Sequence, residues 1–225
     1  MRHMQVLGVE LKDYTVREAM RKADAFLKEN KVSTIAYITT TGLMAAEESE
    51  DLKLFLSNID LTVAADSDIL SAAGIANRNR VKEIENDEFM EEFLKKLVRG
   101  KRKVYLLTGT GEQLSALEEC LKSYQENLRV VGRFALDTLE KDEDWLINEM
   151  NAQMPDVVIS NIDSPQRESF FENNHMKMNA HIWLMLKDKV VRATNKKKVL
   201  WKIGDLFSKK LFQRKVEQYQ NQEEK

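Results

Sequence analysis

Cysteine occurs once in the 225 residues, as Cys120, so no disulfide can form within the chain, and the sequence fits a reducing compartment. Two prolines and eight glycines exclude collagen-like and low-complexity readings. No apolar run approaches the roughly eighteen residues of a membrane-spanning helix. The N-terminal stretch MRHMQVLGVELKDY has no signal-peptide core. A cytoplasmic protein, not integral to a membrane, is expected. His3, His175 and His181 are scattered without zinc-site spacing, so no metal is expected. No nucleic-acid-binding motif occurs either, and no nucleic-acid partner is expected.

What is present is enough apolar residue, 43% of the chain, to build a substantial core. The formal net charge is only −2, but the balance hides an asymmetry. Residues 187–215 carry eleven Lys/Arg against Asp188 and Asp205, a local +9 that leaves −11 on the remainder. A basic tail on an acidic body implies an anionic partner for the tail.

The hydropathy pattern alternates between two periods. TVREAMRKADAFLKEN opens with Thr15 and Glu18 at capping-box spacing and continues as a helical stripe. STIAYI, LTVAA, KVYLLTG, LRVVG, DVVIS and AHIWLML read as strands. EDLKLFLSNI, DEFMEEFLKKLVRG, GEQLSALEECLKSY, EDWLINEMNAQ and SPQRESFFENN read as helices, the last with Pro165 in its first turn. Strands alternating with helices imply right-handed crossovers and a mostly parallel sheet covered on both faces: a Rossmann-like α/β domain. The one composition shift, near residue 187, divides the chain into a domain over 1–190 and a basic appendage over 191–225.

Ligands of such sheets bind beyond the carboxyl ends of the strands. The exits are TTTG (39–42), ADSD (65–68), TGTGEQ (108–113) and NIDSPQRE (161–168). Gly109 and Gly111 can bring backbone N–H groups to a phosphate at a helix N-terminus, or can simply make a tight turn. Asp66 and Asp68 have three readings: a cap on the helix beginning DILSAA, a divalent-cation pair, or a general base. Arg167, beside Gln166 and Glu168, suits a pair of phosphate oxygens or a helix-surface ion pair. Cys120 falls in a helical stripe with Leu117 and Leu121, which indicates packing.

The tail NKKKVLWKIGDLFSKKLFQRKVEQYQ interleaves apolar residues at helical spacing with lysines. Lys197, Lys198, Trp201, Phe207, Lys209 and Lys210 fit an amphipathic helix resting on anionic lipid. A helix packed on its own domain, or on another subunit in a homo-oligomer, is the competing reading.

The order of these parts, from VLGVELKDYTVREAM through TTTGLM, DLTVAADSDIL, RVKEIENDEF, KVYLLTGTGEQ and LRVVG to PDVVISNIDSPQRE, resembles the WecB/TagA/CpsF glycosyltransferases (glycosyltransferase family 26). The resemblance implies inverting transfer of an N-acetylhexosamine, often N-acetylmannosamine. The donor is a UDP-sugar and the acceptor a polyprenyl-diphosphate-linked saccharide, in teichoic acid or other surface-polysaccharide synthesis. It implies no metal and no other cofactor. The tail resembles the family's membrane-associating appendage, which implies a peripheral position at the inner face of the membrane. Asp66 falls on the family's proposed base, and Thr39 on a threonine near acceptor or base. Thr41, Arg80, Gly109, Gly111, Gln166, Arg167 and Glu168 fall on or beside substrate-binding segments.

Several segments depart from the family pattern. Its T-x-N is here Thr39-Thr40-Thr41, and its D-G-x-G is Asp66-Ser67-Asp68-Ile69. RVKEIE places Glu83 and Glu85 where the family has Gly and Asp. Gln166 and Arg167 replace Lys and Gln, and IWLMLKD replaces a glycine-rich G-G-x-F-D segment. These departures imply an altered donor site, or a catalytically silent member that binds a sugar nucleotide, a lipid or a partner protein.

Overall fold

The computed structural model describes residues 2–186 and 198–223, with side chains over 2–186 and 209–221. The chain begins with an antiparallel hairpin of β1 (Arg2–Val6) and β2 (Val9–Asp13). The hydropathy pattern did not reveal it. Both turn residues have positive φ, Leu7 at 52° and Gly8 at 74°, the pattern of a two-residue hairpin turn. Leu7 tolerates that backbone because its side chain is buried in the core.

Next come α1 (Val16–Phe26), β3 (Ser33–Ile38), α2 (Thr40–Glu47), α3 (Glu50–Ser57), β4 (Leu61–Ala64), α4 (Asp68–Ala72), α5 (Arg78–Glu85) and α6 (Glu88–Arg99). They are followed by β5 (Lys103–Thr108), α7 (Gly111–Tyr124), β6 (Arg129–Ala135), α8 (Glu143–Ala152), β7 (Val157–Asn161), α9 (Gln166–Asn174), β8 (Ile182–Met185) and α10 (Lys198–Glu223). The expected capping box of α1 is present: Thr15 Oγ1 accepts from the Glu18 amide, and the Glu18 carboxylate accepts from the Thr15 amide.

Six strands form one parallel sheet in the order β4-β3-β8-β7-β5-β6. All six carboxyl ends therefore lie along one edge, as the α/β pattern predicted. Alternate residues serve two cores. Ile35, Tyr37, Val104, Leu106, Ile159 and Leu184 face α1, α6 and α7. Ala36, Ile38, Tyr105, Leu107, Val158 and Trp183 face the hairpin, α2, α3, α4, α8, α9 and α10. Burial on both faces explains why these strands read as unbroken apolar runs.

Gly132 does not end its strand, as LRVVG suggested. β6 continues to Ala135 through a bulge opposite Val104 and Tyr105, and a Cβ on Gly132 would overlap the Tyr105 ring. The glycine marks a close approach within the strand.

The second half of α10 packs on the domain. Phe212 is 1% exposed and joins the core that contains Ile38 and Leu43, and Val216 and Tyr219 pack at its margin. Among the described residues no helix is long and apolar enough to cross a membrane.

Candidate active site at the carboxyl edge of the sheet

At the exit of β3, Thr39 caps α2: its Oγ1 accepts from the Gly42 amide at 2.9 Å and lies 3.0 Å from Thr41 Oγ1. The neighbouring exit, after β4, supplies Asp66. Its Oδ2 accepts from the Thr40 amide at 2.8 Å and from Thr40 Oγ1 at 3.2 Å. The first amide of a helix has no partner within that helix, so a carboxylate from the adjacent strand is a strong acceptor for it. Asp66 therefore does not cap the helix it precedes, and Ser67, at the N-cap of α4, makes no side-chain cap bond either. Asp66 Oδ1 has no hydrogen-bond partner among the described residues.

Arg167 reaches the same exit from the other side. Its guanidinium lies 5.7 Å from the Phe55 ring centroid, and with Thr39, Gly42, Leu52 and Phe55 it lines a recess of about 20 Å³. That volume holds about one water. Arg167 is oriented by its neighbour: Glu168 Oε1 accepts from Arg167 Nε at 3.0 Å and from Nη2 at 2.6 Å. Glu168 Oε2 is buried without a hydrogen-bond partner among the described residues. The segment after β7 thus turns one residue, Arg167, toward the β3 exit. It turns the preceding one, Gln166, toward the β5 exit, where Gln166 Oε1 would sit 3.3 Å from a Cβ on Gly109.

At the β5 exit the amides of the TGTG turn are already paired. The Gly109 amide donates to the Asn161 carbonyl, the Thr110 amide to Gln113 Oε1 and the Gly111 amide to Asp137 Oδ2. Gln113 also donates from Nε2 to Asp163 Oδ2 at 2.9 Å. In the turn expected to approach a phosphate at Gly109 and Gly111, these N–H groups end on protein acceptors, and the Asp137 and Asp163 carboxylates lie beside them. Gln113, Asp137 and Asp163 were missed by sequence reasoning. Only Gln113 left a trace, as the fourth residue of a T-x-x-Q capping box.

Arg80, expected in a substrate-binding segment, lies in a cluster of ion pairs. It is 6% exposed, and it pairs with Asp13 through Nη2 at 2.6 Å and with Glu83 through Nη1. Glu83 additionally accepts from the Val16 amide. Burial works against the guanidinium's charge, but Asp13 and then Glu83 overcome it and hold its pKa above the ordinary value. In this structure the guanidinium is thus paired with Asp13 and Glu83.

Of the tail residues, Lys210 is exposed, and Lys209 pairs with Asp68 at 3.1 Å. Lys197 and the side chains of Lys198, Trp201 and Phe207 lie outside the described residues. No group of three or more His, Cys, Asp or Glu able to hold a metal occurs among the described residues.

A family model for the glycosyl transferase WecG/TagA/CpsF family matches residues 4–188, from the hairpin through β8. The chain belongs to this family. As a WecG/TagA/CpsF glycosyltransferase, it carries Asp66, Thr39 and Arg167 on three strand exits of the sheet that the family match spans. No curated protein matches it.

Proposed function

We propose that this WecG/TagA/CpsF member transfers an N-acetylhexosamine, with N-acetylmannosamine as first candidate, from a UDP-sugar to a polyprenyl-diphosphate-linked saccharide. The convergence of Asp66, Thr39 and Arg167 on the β3 exit supports this reading most directly. The acceptor hydroxyl oxygen attacks the anomeric carbon, the bond to the UDP oxygen breaks, and configuration inverts. Asp66 takes the hydroxyl proton on Oδ1, since Oδ2 is held by Thr40. Arg167, held by Glu168 and backed by Phe55, meets the charge that develops on the leaving diphosphate. Thr39 and Thr41 orient hydroxyls, and Gln166 faces the nucleotide side. The step is metal-independent in this reading. Trp201, Phe207, Lys197, Lys198 and Lys210 place the enzyme peripherally on anionic lipid at the inner face of the membrane.

Turnover of UDP-N-acetylhexosamines with a short-chain polyprenyl-diphosphate acceptor tests the assignment. Measurable transfer by wild type, lost in Asp66→Asn with UDP binding retained, supports it. Equal inertness of both folded proteins across donors removes it. Flotation with anionic vesicles tests the peripheral placement, and equal recovery of full-length and 1–195 protein in the soluble fraction would end it.

A second reading is a catalytically silent member that binds a lipid or a partner. The enclosure of Arg80 by Asp13 and Glu83, and the pairing of the TGTG amides, favour it. Calorimetry with UDP separates the two: micromolar binding favours the transferase, and no UDP binding alongside lipid binding favours the silent member.

A further inference from the structure

Asp68, the second carboxylate of the D-x-D at the β4 exit, has its counter-charge far away in sequence. Its Oδ2 is buried, and the cation beside it is Lys209 Nζ on α10, at 3.1 Å. Nearly two turns further along α10, Lys215 donates at 2.7 Å to both Glu47 and Glu48, at the C-terminal end of α2. Between these pairs Phe212 is buried in the core. Spacings of three, four and three residues put Lys209, Phe212, Val216 and Tyr219 on one face of the helix. That face meets α2 and α4 together.

These two helices are also the ones that flank the candidate base. Asp66 lies two residues before Asp68, and its carboxylate is tied to the first amide of α2. One helix end is therefore fixed at Asp68 by Lys209, and the far end of the other is fixed at Glu47 and Glu48 by Lys215. Asp66 sits where the two meet. The cation at the second point is secure, because Glu47 and Glu48 raise the Lys215 pKa above its ordinary value and the ammonium stays charged through the neutral range.

We propose that Lys209 and Lys215 are positioning residues for the Asp66 loop, forming a two-point clasp by which the C-terminal helix sets the register of α4 against α2. The proposal rests on Asp66 being the working carboxylate, but the contact it governs can be measured without any substrate. The Thr40 amide is the reporter. As the first amide of α2 it has no intrahelical partner, so its protection from hydrogen exchange comes from Asp66.

The experiment compares amide exchange in wild type, Lys209→Gln, Lys215→Gln, Lys209→Arg and the charge-swapped double variant Asp68→Lys/Lys209→Asp. Each Gln variant is expected to speed Thr40 exchange about two- to fivefold, the range set by partly exposed ion pairs. Leu106, buried midway along β5 between β7 and β6, should exchange at the wild-type rate. Lys209→Arg and the swapped pair should restore Thr40. Unchanged Thr40 exchange in both Gln variants overturns the proposal. So does an equal rise at Leu106, which would signify general destabilisation. Absence of UDP binding or transfer in wild type would defeat the transferase reading and leave the clasp result standing, so the two failures are distinguishable.

Discussion

The carboxylate of Asp66 crosses from the β4 exit to the β3 exit and accepts the Thr40 amide at 2.8 Å. One side chain thereby joins two strand ends and fixes one oxygen, while the other has no hydrogen-bond partner among the described residues. Asp66→Asn keeps an acceptor for Thr40 but removes the proposed base. Transfer is expected to fall about 10²- to 10⁴-fold. Asp66→Ala should in addition lower stability by about 1–2 kcal/mol through loss of the helix-end acceptor. Turnover and urea denaturation of the two variants check both expectations. A larger stability loss in the Asn variant than in the Ala variant would contradict the hydrogen-bond assignment.

Arg80 provides a contrast between structural and binding roles. Its truncation to Ala leaves Asp13, 9% exposed at its side chain, without its counter-charge. A loss of about 3–5 kcal/mol in unfolding free energy is expected, as for other broken buried pairs. A change below about 1 kcal/mol, with UDP affinity lost instead, would show that the guanidinium serves a ligand.

Two glycines should respond differently to alanine. At Gly132 the new methyl group meets the Tyr105 ring, which is packed in the sheet, and a cost of about 1–3 kcal/mol is expected. At Gly109 it meets the amide oxygen of Gln113 at 2.9 Å, the far end of a flexible side chain, and less than about 1 kcal/mol is expected. Thermal unfolding of both variants reads the difference. Similar costs would mean that the Gln113 side chain is as constrained as the Tyr105 ring.

Tyr37 predicts an alkaline limit. Burial raises its pKa well above 10, and Asp87, whose Oδ1 accepts the phenol proton at 2.8 Å, adds to the shift. The folded protein therefore holds this proton after the unfolded chain has released its own. Stability from this group is complete below about pH 10 and declines as pH rises beyond that. Tyr37→Phe should flatten the fall in unfolding midpoint between about pH 9 and 11. It also weakens the protein at neutral pH, because Asp87 then keeps the Tyr124 phenol but loses that of Tyr37. Parallel slopes in the two proteins would contradict the buried-phenol account.

Much of the edge was legible in the residue order. The strands from STIAYI to AHIWLML and the Thr15 capping box are local patterns, and period-2 and period-3.6 hydropathy identify them directly. Asp66 and Arg167 were singled out as candidates because strand exits are where a parallel sheet places ligands. The hairpin escaped notice because its turn uses Leu7 rather than Asn or Asp. α2 was hidden by its threonines and glycine, which favour a loop unless a carboxylate from elsewhere caps them.

By itself the sequence determined the alternation of strands and helices, and hence a parallel sheet with one common carboxyl edge, since each element follows from the spacing of neighbouring residues. Only the tertiary structure decided which charged and polar groups face one another. Arg80 with Asp13, Gly111 with Asp137 and Lys209 with Asp68 are separated by 67, 26 and 141 positions. Hydropathy periods carry no information about such pairings, because charge partners are chosen by how the packed elements meet and by the cost of leaving a buried charge alone.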